Sequence, residues 1–245
     1  MKKLLLILVS LLTCLSFCAL SEGDTYYCGH YRYVLLPDGT AKITDYRGAG
    51  YTAADYILQI PEKLDNHPVS AIGDLAFHRC LFHEHIIIPD SVTAIGTFSF
   101  ADCPALTEMT IPDSIETMAI NPFAFCQNLT KFNVSMENPY FYVIDGVLFS
   151  TAEKKLISYP HALSASSSYV IPEGTLAIGE AAFHSCRALT EITIPSSVTI
   201  IEESSFSYVS ENLLFTVDKG SYAETWAIEN GFDYQFSNSL DWLNH

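Results

Sequence analysis

Positive charge is scarce in this 245-residue chain: 12 Lys and Arg stand against 28 Asp and Glu, a formal charge of −16. Nucleic acid and anionic membranes are thereby excluded as partners, because such interfaces draw most of their affinity from Lys and Arg neutralising phosphates. After the first twenty residues no apolar run reaches the roughly 20 that a spanning helix needs, so no transmembrane segment is expected once the N-terminus is removed. No Gly-rich phosphate loop, nucleophile elbow or zinc-protease motif occurs, so the sequence points to no catalytic residue, no enzyme and no cofactor. Carboxylate pairs carry no weight in so acidic a chain. What is present is a hydrophobic share of 49%, which is that of a folded protein, and a length that suits one large domain or two small ones.

Met1-Lys2-Lys3 followed by the apolar run Leu4 to Leu12 reads as a secretory signal peptide spanning residues 1–21, with cleavage after Ser21. Loss of Lys2 and Lys3 takes the charge to about −18 and leaves a secreted, soluble form. A lipobox reading of Leu15-Ser16-Phe17-Cys18, with lipid attached at Cys18, fits less well, since Phe17 stands where that motif wants a small residue.

A repeat organises almost everything else. Ile-Pro occurs at Ile60-Pro61, Ile88-Pro89, Ile111-Pro112, Ile171-Pro172 and Ile194-Pro195, and the steps 88 to 111 and 171 to 194 are both 23 residues. Val134 and Val217 continue the ladder. The step from 60 to 88 holds five extra residues around Lys63 to His67, and that from 134 to 171 holds fourteen. Within a unit the order is Ile-Pro-Asp-Ser-Val-x-x-Ile, then Ala/Ser-Phe-x-x-Cys, then Leu-x-x-Ile/Met/Phe-x-Ile. Cys80, Cys103, Cys126 and Cys186 share one register, as do Leu106, Leu129 and Leu189. Phe77, Phe100, Phe183 and Phe206 are read as another, continued by Phe125, with Phe123 an adjacent extra aromatic. Periodic apolar positions of this kind point into a common core that no single unit buries alone. Leu106 to Ile111 alternates apolar and polar residues and reads as a strand stopped by proline; a second short strand is expected at Val92 to Ile95, turned by Gly96. Six coils at about 4.8 Å per rung make a block about 30 Å long.

Together these motifs resemble the BspA-like class of leucine-rich repeats, also called the Treponema pallidum type, over about Ile60 to Val217. The flanks Asn138-Pro139-Tyr140-Phe141, Ile144 to Phe149 and Gly220 to Glu224 resemble segments that recur in bacterial members. The resemblance implies a secreted or cell-surface solenoid that binds host matrix, other cells or its own kind, with no shared catalytic residues. No wall-anchoring motif is recognisable, which departs from a covalently attached adhesin.

The expected fold is therefore a leucine-rich repeat solenoid, mainly β, with short parallel strands in each 23-residue coil. Residues 22–59 form an N-terminal cap, 60–217 the solenoid and 218–245 a C-terminal cap. Tyr31 to Leu36 and Thr40 to Asp45, joined by Pro37-Asp38-Gly39, read as a hairpin that shields the first coil's strand edge. Ser221 with Glu224 makes a capping box, and Gly231 stands where a helix over Tyr222 to Asn230 would stop. The insertion near 135–160 reads as a β-meander turning at Asp145-Gly146.

The ladder register of four cysteines points to buried free thiols, with at least one bridge as the alternative; Cys28 stands outside the ladder. His78, Cys80, His83, Glu84 and His85 look like metal ligands by type. The repeat argues otherwise: Cys80 belongs to the ladder and His83 replaces the Leu of Leu106, so one histidine should be buried and two exposed, with no metal between them.

What remains is a surface. Residues between the buried strand positions are expected to line up outward across all coils, in the rows His85, Glu108, Lys131, Ser168, Glu191, Leu214 and Ile87, Thr110, Asn133, Val170, Thr193, Thr216. His85, Glu108, Thr110, Lys131, Asn133, Glu191 and Thr193 are the candidate contact residues, since such faces are how solenoids bind extended partners. The functional expectation is a non-enzymatic, secreted or surface protein of bacterial type that binds an extracellular protein or glycan in the manner of an adhesin. The alternative is a structural envelope protein that weakly self-associates.

Overall fold

The computed structural model describes residues 24–48, 56–163 and 167–237. The expected signal peptide, its cleavage site and Cys18 lie outside the described residues. The chain opens with an antiparallel meander of β1 (Thr25–Cys28), β2 (Tyr31–Leu35) and β3 (Ala41–Tyr46). Its first coil supplies β4 (Ile57–Gln59), a small hairpin arm β5 (Lys63–Leu64), and β6 (His67–Ile72). The next coils supply β7 (His85–Ile87) with β8 (Ala94–Ile95), β9 (Glu108–Ile111) with β10 (Thr117–Met118), and β11 (Lys131–Val134). A second meander follows, made of β12 (Phe141–Ile144), β13 (Val147–Ser150) and β14 (Lys155–Ser158). Then come β15 (Ser168–Val170) with β16 (Ala177–Ile178), β17 (Glu191–Ile194) with β18 (Ile200–Ile201), β19 (Leu214–Val217), helix α1 (Tyr222–Asn230) and β20 (Asp233–Phe236).

Most coils thus place one strand on a front face and one on a back face, with the coil of β11 running into the second meander and that of β19 into α1, and the result is a mainly-β solenoid of about seven turns rather than six. Parallel ladders join β4 to β7, β9 to β11, and β15 through β17 and β19 to β20 on the front. On the back, β3, β6, β8 and β10 form one parallel series and β14, β16 and β18 another. The described hairpin strands therefore shield the back sheet, through the pairing of Ala41 with Val69 and Ile43 with Ile72, and among the described residues none pairs with the outer edge of β4. The five extra residues of the first coil form the β5 arm: Asp65 and Asn66 turn it with φ of 47° and 70°, and Tyr33 Oη donates to Asp65 Oδ2 at 2.8 Å. The back strand expected at Val92 to Ile95 is shorter, because Val92 N–H is spent on Pro89 O in the turn before it.

The interior is a set of ladders. Phe77 stacks on Phe100 (centroids 5.2 Å) and Phe100 on Phe123 (5.7 Å, planes 6° apart), and Phe183 stacks on Phe206 (5.0 Å). This corrects the register read from sequence: Phe123, 23 residues after Phe100, is the ladder residue, and Phe125 is the outsider. Phe125 takes the left-handed backbone (φ 63°) that Arg79, Asp102, Ser185 and Tyr208 take in their own coils, and this turns its side chain out of the core. Tyr159 supplies the ring of the meander coil, stacked on Phe183 at 5.2 Å. Aromatic pairs of this kind contribute about 0.5–1.5 kcal/mol each beyond area burial.

All five cysteines of the described residues are free thiols, and Cys80, Cys103, Cys126 and Cys186 are buried. Cys103 Sγ donates to Phe77 O at 3.3 Å and Cys126 Sγ to Phe100 O at 3.1 Å, so each thiol ties its coil to the one before. The neighbouring Cys126 and Cys80 thiols, with burial, hold the Cys103 thiol well above its ordinary range. Burial does the same for Cys186. At the far end Ser221 Oγ accepts from Glu224 N–H at 3.2 Å, while the Glu224 carboxylate takes the Gly220 N–H rather than that of Ser221. Gly231 closes α1 in the left-handed conformation (φ 73°). The chain then adds β20, a front rung absent from the expected cap.

Candidate functional site

The two outward rows do not run unbroken along the front face. The Asp145–Gly146 turn of the second meander lies against β11, where Phe132 N–H donates to Gly146 O at 3.1 Å, and Ala162 N–H donates to Leu129 O at 2.8 Å. The outer side of β11 is thus engaged, β15 does not pair with it, and the rows break between Lys131 and Ser168 and between Asn133 and Val170. Within each section the expected neighbours hold: Glu108 lies beside Lys131, Thr110 beside Asn133, and Thr193 between Val170 and Thr216.

In the first section the Glu108 carboxylate meets Lys131 Nζ at 3.1 Å and accepts from Asn133 Nδ2 at 3.2 Å. Those contacts, Asn133 first and Lys131 second, hold its pKa below the usual carboxylate value. Between β7 and β9 the strands are neighbours without a ladder. A groove of about 370 Å³ opens there, with His85, Glu108, Thr110 and Asn133 on its sides and Ile57 and Ile87 in it. Ile57 and Ile87 are 58% and 48% exposed, a large apolar outlay for residues on a solvated face. Four of the seven candidate residues therefore meet in one depression, with Lys131 bridged to it through Glu108.

Glu191 and Thr193 lie apart, in the second section. There Glu191 Oε1 accepts from Thr216 Oγ1 at 2.7 Å and from Gln235 Nε2 at 3.2 Å, and Gln235 Nε2 also donates to Thr216 Oγ1 at 3.0 Å. Glu108 and Glu191 hold the same place in their coils, and each is bound by the residue 25 positions on, Asn133 and Thr216. Gln235 was missed because β20 follows a helix and departs from the 23-residue step. That offset of 25, one rung plus two residues, was the signal that links each acid to its diagonal partner.

The histidine cluster separates as the repeat implies. His83 is buried beside Tyr46, whose hydroxyl lies 3.3 Å from Nε2, while His78 and His85 are exposed. Among the described residues no group of three His, Cys, Asp or Glu is placed to hold a metal ion.

The BspA type leucine-rich repeat region matches the sequence in six copies, over residues 58–168 and 155–220. The chain belongs to the BspA-type leucine-rich repeat family. Members are cell-surface or secreted bacterial proteins, membership suggests a protein-binding role, and the repeat and fold are typically non-catalytic. Among solved structures, a leucine-rich cell surface protein of Faecalibacterium prausnitzii is similar at 20% identity, covering 81% of this chain and 77% of that one with a TM-score of 0.50. The Treponema pallidum leucine-rich repeat protein is similar at 22% identity over 79% of this chain and 71% of that one, TM-score 0.44. A leucine-rich repeat protein of Eubacterium ventriosum follows at 21% identity over 81% and 67%, TM-score 0.47. No curated protein shows significant sequence similarity to the chain. No helix among the described residues is long and apolar enough to cross a membrane.

Proposed function

We propose that this BspA-type protein is an adhesin-like binder of an extracellular protein, acting without catalysis through the first section of its front face. The observation that carries the reading is the groove between β7 and β9, where exposed Ile57 and Ile87 sit beside a Glu108 carboxylate already held in place by Lys131 and Asn133. An apolar anchor ringed by ordered polar groups suits a protein side chain, since hot spots cluster in such desolvated depressions. Glu108, Lys131 and Asn133 form a rim whose geometry exists before the partner arrives, which lowers the ordering cost of binding. Glu191 and Thr193 belong to the second section and are not needed for this contact.

The test is binding to an array of matrix proteins, mucins and cell-wall glycans, comparing the protein with Ile57→Ser/Ile87→Ser and with Glu191→Ala/Thr193→Ala. A protein ligand lost only in the first variant supports the reading. Retention of every hit in the first variant refutes it.

Self-association is a second reading, favoured by the outer edge of β20, which no strand among the described residues covers, and by Phe236 on it at 45% exposure. Light scattering that shows one mass across a hundredfold range of concentration would dismiss it.

A further inference from the structure

The back sheet is interrupted where the second meander enters. Along the back, carbonyls of one coil accept N–H groups of the next: Thr93 N–H goes to Ser70 O and Gly96 N–H to Ile72 O, then Glu116 N–H to Thr93 O and Ala119 N–H to Ile95 O. Beyond the meander the pattern resumes, with Leu176 N–H on Lys154 O and Gly179 N–H on Leu156 O. The corresponding carbonyls of Glu116 and Met118 receive no such N–H, because β10 pairs with β8 on one side and with no described strand on the other. The strand that takes the next place, β14, is already held on both sides by β13 and β16. Nothing in the described chain is therefore available to complete the rung.

That open edge faces a cleft of about 340 Å³ running along residues 116–121 and bounded by Tyr140, Glu153, Lys155, Glu180 and Glu202. The volume falls in the range of ordinary ligand sites. Its charge is one-sided: Glu116, Glu153, Glu180 and Glu202 face a single ammonium. Lys155 is committed, to Glu153 at 2.5 Å and to Glu202 at 3.5 Å. Glu202 Oε2 also accepts the Glu180 N–H at 2.8 Å. Glu116 and Glu180 take part in no ion pair among the described residues. Two unused carbonyls on a strand edge call for main-chain N–H donors with the spacing of an extended peptide, and the surrounding carboxylates call for basic side chains.

We propose that this cleft is a strand-addition site, in which an extended peptide segment bearing Lys or Arg lies beside β10 as the missing rung. Its N–H groups meet the Glu116 and Met118 carbonyls, and its basic side chains meet Glu116 and Glu180. Main-chain pairing supplies affinity and the alternate side chains supply selectivity, as in other strand-addition sites. From Glu116 to Ala119 the edge runs about 10 Å at roughly 3.3 Å per residue, enough for about three peptide units. The site is independent of the front-face groove, and either can fail without the other.

The test must separate pairing from the general pull of an acidic chain on any basic peptide. The probe is a fluorescein-labelled Lys-Val-Lys-Val-Lys-Val-Lys peptide, read by fluorescence anisotropy with the full chain, beside the same peptide N-methylated at alternate amides so that its charge is unchanged. We expect saturable binding that weakens at least tenfold on N-methylation and at least tenfold in Glu116→Gln/Glu180→Gln. Glu62→Gln/Glu229→Gln, which removes the same charge elsewhere on the surface, should change it less than twofold, as should Ile57→Ser/Ile87→Ser. Equal binding of the N-methylated peptide, equal loss in the two glutamine pairs, or no saturable binding would each overturn the proposal.

Discussion

Phe123 and Phe125 stand two residues apart and should behave as members of different classes. Phe123 is 3% exposed, with its ring stacked on Phe100 at 5.7 Å and edge-on to Phe132 at 5.0 Å. Truncating a buried Phe to Ala costs about 3–5 kcal/mol, because the transfer energy is lost and the stacked neighbours cannot collapse into the space. Phe125 is 37% exposed, and the ring contact recorded for it is with half-buried His184 at 4.2 Å. Phe125→Ala keeps the left-handed backbone and its strain, since Ala also carries a Cβ, so only that surface contact is lost, at about 1 kcal/mol or less. The two variants should differ by more than 2 kcal/mol, a factor of about 30 in the unfolding equilibrium. In urea unfolding followed by far-ultraviolet circular dichroism, with an m-value of about 2 kcal/mol/M, Phe123→Ala should lower the midpoint by roughly 2 M and Phe125→Ala by about 0.5 M at most. Equal shifts, or the larger shift for Phe125→Ala, would refute the register of the aromatic ladder.

Three further outcomes follow from contacts between coils. Gly96→Ala should destabilise by about 1–3 kcal/mol in the same assay, because a Cβ there would sit 2.6 Å from the Asp74 backbone nitrogen, which cannot move aside as a side chain can. In a carbon-detected titration the Glu108 carboxyl should have its midpoint below that of an ordinary glutamate, and Lys131→Met/Asn133→Ala should return it there. Since the folded value is the lower one, the stabilisation is complete above the unfolded pKa of about 4.3 and fades as pH falls through the folded value. Iodoacetamide applied to the native protein should modify Cys28, which is partly exposed, well before buried Cys80, Cys103, Cys126 or Cys186, and all five should react in denaturant; early modification of the ladder thiols by peptide mass mapping would contradict their burial.

The repeat was legible because every coil must offer the same positions to a shared interior, so Ile-Pro, Phe-x-x-Cys and Leu-x-x-Ile-x-Ile recur as a matter of packing. The Asp145-Gly146 turn was legible too, since its two left-handed residues (φ 50° and 83°) need that chemistry. The outward direction of Phe125 was not, because the left-handed turn of each coil is made here by Arg79, Asp102, Phe125, Ser185 and Tyr208 instead of glycine. The break in the front rows was hidden for a different reason. Sequence marks where strands begin and end, and the lateral position of the Asp145–Gly146 turn beside β11 depends on how the inserted strands fold back. The open edge of β10 follows from that same placement.

The second meander also divides the interior. One cluster of buried apolar residues runs from Tyr33 to Ile157 and another from Val147 to Ala227, and the two overlap in sequence only within the meander. In a solenoid, stability is close to a sum over coils and their nearest-neighbour interfaces, so cooperativity is only as strong as the weakest junction. Here that junction is the meander, where neither front nor back ladder crosses directly from β10 and β11 to the coils beyond. Native-state amide exchange should therefore report two protection levels divided near residue 145, the two halves coupled there by the meander and by contacts such as Asn121 Nδ2 donating to Ala181 O at 2.7 Å.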